Sequence, residues 1–439
     1  MQKTLKKYYI RTYGCQMNEL DTDVMRGILE RRGLAQTEVE TEADLLIFNT
    51  CSIRDLAERK VMGKLGKLGS SPKMRERMIG VTGCMANAKK EKLFNKLPYV
   101  DFVLGTNNIH ELDSVIDEVL SSKRQILRTD TKFSFELDYV NAKRQNDYKA
   151  FVSIIRGCDK FCTYCVVPYT RGPEVSRDPD SIIEECKQLA AQGVKEVTLL
   201  GQNVNSYGKD RPEWNTLFHD LLYRIDKETG ISWVRFLTSH PVDITTELMH
   251  AIRDLPSACE LVHFPVQSGS NRILKKMHRL YTIEEYLEKV ELLKKIVPNV
   301  SLGTDIIVGF PTETEEEFME TYRILEQTRY HVGFIYSFSE RQGTPAKRWK
   351  DDVPEDVKHD RQQRLMHLQE SILQEQRHAL IGETIDVLID GVAKDGNLRA
   401  GTRDWKNVVI PGDASLIGTF QKVKVNGFSH HTLRAELLI

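Results

Sequence analysis

Along the first 145 residues, short β-rich apolar runs alternate with stretches of helical spacing. The runs lie at Lys7–Thr12, Asp44–Asn49, Met78–Thr82 and Asp101–Leu104, and the helical patterns at Glu19–Arg32, Ile53–Leu68, Ala86–Leu97 and Ile109–Leu120. Strand followed by helix at this spacing predicts a parallel sheet wound with helices. The stretch from Asp130 to Lys149 is polar and reads as a linker. The alternation then resumes to about residue 376, with strands expected near Phe151–Ile155, Glu196–Leu200, Trp233–Thr238, Leu261–Phe264, Ser301–Val308 and Val332–Phe338. Six such units predict an open, partial β/α barrel. After Arg377 the pattern changes to short strands separated by glycines, at Thr384–Ile389, Leu398–Gly401, Asn407–Ile410, Gly418–Val425 and Thr432–Leu437. These predict a small five-stranded barrel of the oligonucleotide-binding sort. The expected fold class is therefore α/β: an N-terminal doubly wound parallel sheet in residues 1–145, a central partial (β/α) barrel in 146–376, and a C-terminal small all-β barrel in 377–439.

Length agrees with several units, because 439 residues exceed what one ordinary core organises. Charged residues form 28% of the chain and hydrophobic ones 40%, and no apolar stretch approaches the roughly 18 residues of a membrane span. The basic start, Met1 to Lys7, runs into Tyr8-Tyr9-Ile10 with no apolar signal core. A cytoplasmic protein without a membrane partner is expected. The net charge of −1 means that any nucleic-acid surface must be local. Between Arg54 and Arg77 eight basic residues face three acids, which reads either as a phosphate-binding patch or as a solvated helix face. The last segment, with eight basic and seven acidic residues, is nearly neutral.

Eight cysteines without a secretory signal point to metal or redox use rather than disulfides. Cys158, Cys162 and Cys165 form C-x3-C-x2-C directly after the first predicted barrel strand. Three thiolates within eight residues can grip one centre and leave one iron of a four-iron cluster open. A zinc site with an open position is the competing reading, and plain loop cysteines a third. Cys15, Cys51 and Cys84 each sit just past the carboxyl end of a successive predicted strand, where loops of α/β sheets converge on ligands. They could hold a second cluster, or be buried structural cysteines. Cys186 and Cys259 lack such company.

At these residues the chain resembles the radical S-adenosylmethionine (SAM) enzymes, whose hallmark is C-x3-C-x2-C with an aromatic, here Tyr164, before the last cysteine. Three N-terminal cysteines and the C-terminal barrel make it similar to the methylthiotransferases, and its wording is nearest to those of the MiaB type, which act on isopentenylated adenosine in tRNA. The matching stretches are TYGCQMNELDTD (12–23), FNTCSIRDLAERK (48–60), TGCMAN (82–87), CTYCVVPYTRGPEVSR (162–177), LLGQNVNSYG (199–208), TSHP (238–241), PVQSGS (265–270) and IVGFPTETEE (307–316). Two positions depart from the pattern: Arg156 stands where an acid is usual before Gly-Cys, and Thr312 where glycine is usual.

The resemblance implies two [4Fe-4S] clusters, with Cys158, Cys162 and Cys165 catalytic and Cys15, Cys51 and Cys84 holding the auxiliary one. It implies SAM as cofactor, cleaved at the first cluster to a 5′-deoxyadenosyl radical that attacks adenine C2. The second cluster is then expected to carry the sulfur, methylated by a second SAM. It also implies a TRAM-like C-terminal barrel and, as partners, a tRNA anticodon stem-loop and an electron donor and sulfur source left unidentified; a monomer is expected. Tyr164, Gln202, Ser239, Gln267, Arg279 and Asp305 lie at or beyond predicted strand ends and are candidates to contact SAM, packing being the other reading. Asn18, Asp21 and Asp23 follow Cys15 into a helix start, where capping is the plain expectation. Related enzymes act on threonylcarbamoyl-adenosine or on a ribosomal-protein aspartate, and a zinc-stabilised RNA-binding protein is the non-enzymatic alternative.

Overall fold

The computed structural model describes residues 5–52, 55–130 and 142–438. Its first unit is a six-stranded sheet built from β1 (Lys7–Thr12), β2 (Ala35–Gln36), β3 (Leu45–Thr50), β4 (Met78–Gly83), β5 (Phe102–Leu104) and β6 (Ile126–Arg128), in the order 2-1-3-4-5-6 with every pair parallel. β3 and β4 are buried along their whole length, as sheet strands covered on both faces must be. Their residues alternate between two cores. Leu45 and Ile47 pack with Tyr8, Leu20 and Val24 beneath the helix Gln16–Arg31; Leu46 and Phe48 pack with Val61, Leu65 and Ile79 beneath the helix Asp55–Gly69. The two edge strands β2 and β6 lay outside the sequence expectation, because two or three residues are too few to display a period.

The central unit contains β7 (Lys149–Ser153), a two-residue antiparallel pair β8 (Ile155–Arg156) and β9 (Val175–Ser176), then β10 (Glu196–Leu200), β11 (Trp233–Phe236), β12 (Leu261–His263), β13 (Ser301–Val308) and β14 (Val332–Ser337). Six of these form two parallel arcs, β7-β10-β11 and β12-β13-β14. The Cys259 N–H donates to Val234 O at 2.9 Å where the arcs meet. Strand order follows chain order, so the result is a partial barrel, filled by one continuous apolar core. A 25-residue helix, Glu355–Ala379, leads onward; the expected unit boundary after residue 376 falls in its last turn. Beyond it β15 (Thr384–Val392), β16 (Leu398–Thr402), β17 (Asn407–Ile410), β18 (Phe420–Ser429) and β19 (Thr432–Leu437) close into a barrel in the order 15-16-17-19-18.

The outer units cap opposite ends of the central one. At the amino ends of the strands Leu388 packs with Trp233 and Cys259, Lys149 pairs with Asp390 at 2.7 Å, and Arg403 pairs with Glu260 at 2.9 Å. At the carboxyl ends the N-terminal sheet docks, with Arg156 Nη2 2.7 Å from Asp21 Oδ1. The described end of the expected linker lies along the helix Gln16–Arg31, where the Lys143 N–H donates to Asp23 O at 2.9 Å; its residues 131–141 lie outside the described ones.

Candidate functional site

The loop carrying Cys158, Cys162 and Cys165 leaves the carboxyl rim of the partial barrel after β8 and is pinned at several points. Gly157 has φ +81°, and a Cβ there would overlap the carbonyl oxygens of Pro173 and Gly172. Its N–H donates to Gln202 Oε1 at 2.7 Å, the Cys158 N–H to Gly172 O at 3.2 Å, and the Cys165 N–H to Cys162 O at 2.9 Å. Between the cysteines, the Thr163 N–H donates to Met277 O at 3.0 Å. Arg279, buried, points Nη1 at Cys162 Sγ, 3.4 Å away. Burial pushes the thiols of Cys158 and Cys165 up to about 12, so each takes the thiolate form when an electropositive centre replaces its proton.

In the N-terminal sheet β1, β3 and β4 are spatial neighbours, and Cys15, Cys51 and Cys84 follow their carboxyl ends. Cys51 and Cys84 are buried. Gly83 has φ +91° and would place a Cβ against Thr50 O. Asn18 fastens the cluster of loops: Nδ2 donates to Asn49 Oδ1 at 3.1 Å and to Thr50 O at 3.2 Å, and the Cys15 thiol donates to Asn18 Oδ1 at 3.5 Å. Burial raises the Cys15 thiol, and the positive charge of Arg171 pulls it back. Among the described residues, no three His, Cys, Asp or Glu side chains close around a single metal ion.

The two thiol sets face each other across the junction of the first two units. Cys165 is near enough to Cys84 for their charges to interact, and Cys84 and Cys15 interact likewise. The short helix Val167–Arg171 spans the gap, where the side-chain amide of Asn87 donates to Thr170 O. The capping expectation for Asn18, Asp21 and Asp23 is corrected here. The helix starts at Gln16 with Cys15 at its cap and no side-chain cap bond, which places all three residues inside it. Asn18 ties strand ends together, Asp21 pairs with Arg156 and Arg171, and Asp23 pairs with Arg26 at 2.7 Å.

The expected SAM contacts divide into groups. Ser239 Oγ and Gln267 Oε1 are buried without a partner, as are both amide atoms of Asn205, and these residues follow the carboxyl ends of β11, β12 and β10. Buried polar atoms are normally satisfied, so three such residues at successive strand ends fit a polar ligand rich in amino, carboxylate and hydroxyl groups. Tyr164 packs against Ile273, Met277 and Phe310. Arg279 is committed to Cys162, to Tyr281 Oη at 3.0 Å and to Pro265 O at 3.2 Å. Asp305, half-buried, has Oδ2 3.5 Å from His263 Nε2. Gln202 acts on the cysteine loop, through Gly157.

Sequence reasoning passed over Asn205, Arg171, Gly83 and Gly157. The glycines were findable, since Gly-Cys recurs at 14–15, 83–84 and 157–158. The basic stretch is partly spent internally: Lys64 pairs with Glu40 at 2.7 Å and Arg77 donates to the carbonyls of Ala43 and Thr41. Lys60, Lys67 and Lys73 are exposed; Arg54 lies outside the described residues.

Comparison with known proteins follows the same three units. Residues 7–105 match the "Uncharacterized protein family UPF0004", residues 152–325 the Radical SAM superfamily, and residues 378–438 the TRAM domain. A tRNA-2-methylthio-N(6)-dimethylallyladenosine synthase of Protochlamydia amoebophila is 65% identical over 439 residues, covering 100% of this chain and 97% of the relative. One of the same name from Thermoanaerobacter pseudethanolicus is 45% identical over 98% of this chain and 92% of its own. Among solved structures, the radical SAM methyltransferase TsrM of Kitasatospora setae, with cobalamin and a [4Fe-4S] cluster bound, aligns at TM-score 0.56 and 13% identity over 78% of this chain and 74% of that one. That likeness is one of fold alone. With relatives of such identity along its whole length, the chain belongs to the radical SAM family of tRNA-2-methylthio-N(6)-dimethylallyladenosine synthases.

Proposed function

We propose that this chain converts N6-dimethylallyladenosine beside the anticodon of tRNA to its 2-methylthio derivative, using two [4Fe-4S] clusters and SAM. Cys158, Cys162 and Cys165 hold one cluster, and Cys15, Cys51 and Cys84 the other. The observation that carries this reading is the docking of the helix that begins at Cys84 (Cys84–Lys89) against the helix that follows Cys165 (Val167–Arg171), through the Asn87 amide and Thr170 O. When bound, the first cluster supplies one-electron cleavage of SAM and hydrogen removal at adenine C2, and the second supplies the sulfur that is methylated from another SAM.

The protein's own task is binding, aim and exclusion of water. Arg279 steadies Cys162 through its 3.4 Å contact, and Gln202 sets the start of the cysteine loop through Gly157. The partnerless groups of Ser239, Gln267 and Asn205 are offered to SAM, with Tyr164 and Asp305 at the same rim. An unpaired loop base can be splayed into the junction at small cost. Exposed lysines, Lys60, Lys67 and Lys73 on the first unit and Lys422 and Lys424 on the C-terminal barrel, then hold phosphates. In this reading residues 1–145 carry the auxiliary cluster, 146–376 the radical chemistry and 377–439 RNA binding. The chain acts as a cytoplasmic monomer; among the described residues no helix is long and apolar enough to cross a membrane.

The test replaces each cysteine set by alanine and follows 5′-deoxyadenosine release and nucleoside mass in parallel. Loss of the Cys158 set abolishes SAM cleavage; loss of the Cys15 set spares cleavage but yields no methylthio-adenosine. Full product from the second variant would make those cysteines structural.

A further inference from the structure

Arg171 has no task in the reaction above, yet it is among the best-buried charges of the protein, with its side chain 2% exposed. It ends the helix Val167–Arg171, which begins two residues after Cys165. One five-residue helix is thus tied to the first thiol set at its start and turns its last side chain toward the second set. There Nη2 lies 3.5 Å from Asp21 Oδ2, and Cys84 and Cys15 are both near enough for charge interaction. Nη1 is buried with no partner of good geometry.

Burying a guanidinium costs several kcal/mol unless its charge is met. Asp21 cannot meet it alone, because its other oxygen is 2.7 Å from the equally buried Arg156. Asp21 thus divides its one negative charge between two arginines, one of which lies beside the thiols. A four-iron core held by three thiolates is an anion when oxidised and more strongly anionic when reduced, so bound here it would set a negative charge beside Arg171. Hydrogen bonds to cluster sulfurs and nearby charge are among the levers that set a cluster's potential.

We infer that Arg171 is a positioning residue for the N-terminal cluster: it is the fixed counter-charge to the site formed by Cys15, Cys51 and Cys84, and raises that cluster's reduction potential. The inference rests on the reading of those cysteines as cluster ligands. Removal of Arg171 does not strand Asp21, which keeps Arg156, so the fold tolerates the change.

The experiment uses the full chain, reconstituted anaerobically with iron and sulfide, in a C158A/C162A/C165A background so that only the N-terminal cluster reports. Iron content and an EPR-monitored redox titration are measured for Arg171, Arg171→Met and Arg171→Lys. Arg171→Met is expected to keep about four irons, but at a fixed potential its ratio of reduced to oxidised cluster falls at least tenfold, a shift of 59 mV to the negative for one electron. Arg171→Lys recovers most of that loss. If Arg171→Met drops its iron, restoration of iron and potential by Arg171→Lys supports the charge role, while equal failure of both variants overturns it in favour of packing. An unchanged potential in an iron-replete Arg171→Met protein also overturns it. If instead the background protein with Arg171 intact holds no iron, the cluster reading of Cys15, Cys51 and Cys84 has failed, which is a separate result.

Discussion

Thr312 stands where related sequences lead one to expect glycine, and its backbone explains that expectation: φ is +74°, a region that costs a β-branched residue about 1–2 kcal/mol. Its hydroxyl recovers part of the cost by accepting from Arg272 Nη1 at 3.0 Å and Lys276 Nζ at 2.6 Å. Both cations can turn to water. Thr312→Gly is therefore expected to raise stability by up to about 1 kcal/mol in urea titration, and Thr312→Val, which keeps the strain and loses the acceptor, to lower it by about as much. Next to it Glu313 is 5% exposed, and burial pushes its carboxyl up to about 7, against the pull of the Gly309 N–H and Arg361. Its Oε1 lacks a partner, which suits a protonated acid. Because the folded state holds this proton more tightly than the unfolded one, stability is greatest below about pH 4.5 as far as this group is concerned and declines as pH rises through 7. Across that window the loss is on the order of 3 kcal/mol. Glu313→Gln should flatten the denaturation midpoint between pH 5 and 8; an unchanged slope would show that Arg361 keeps the carboxylate charged.

At the scale of elements, what matters is how a strand ends. β4 and β8 each stop at a glycine of positive φ, and the cysteine that follows is aimed by that bend. A Cβ at Gly83 would strike Thr50 O, and one at Gly157 the carbonyls of Pro173 and Gly172, so neither position tolerates alanine without moving its loop. Gly83→Ala is expected to lower iron content from about eight to about four per chain while SAM cleavage persists. Gly157→Ala should lower iron to the same level and abolish cleavage. Identical loss of both clusters in the two variants would show that the strand ends do not act separately. Strands with a period of their own were legible from their apolar rhythm: β1, β10, β13, β17 and β19 begin and end where the pattern places them. β2 and β6 were not, because hydrogen bonding to a neighbour, not a pattern of their own, makes them strands.

Over the whole molecule, the C-terminal barrel sits on the amino rim of the central strands, opposite the thiols. Its junction is both apolar, through Leu388, Trp233 and Cys259, and ionic, through Arg403 with Glu260 and Lys149 with Asp390. Deletion of residues 377–439 would expose that seam and so confound any RNA-binding measurement. The barrel's role is better read from Lys422→Ala/Lys424→Ala, whose side chains lie on the outer face of β18. The pair should weaken tRNA binding evenly across sequences and lower the salt slope by roughly 1–2, with iron content unchanged. Unaltered affinity would move RNA binding to the first unit. Arg403→Ala, by contrast, leaves Glu260 without its partner and should cost about 1–3 kcal/mol of stability with little effect on RNA affinity.

The amino-acid sequence by itself determined the number and kind of units and the family, because these depend on local period and on motifs of a few residues. It also placed Cys15, Cys51 and Cys84 past the carboxyl ends of successive strands, as β1, β3 and β4 now show. Tertiary structure alone decided that Asn18 and Asp21 serve strand ends and a domain junction instead of a helix cap, that Arg156 is held by Asp21 from 135 residues away, and that Arg171 shares the same carboxylate. Such pairings join charges whose positions along the chain carry no mutual signal. They exist because a buried charge must find its partner wherever the packed units bring one within reach.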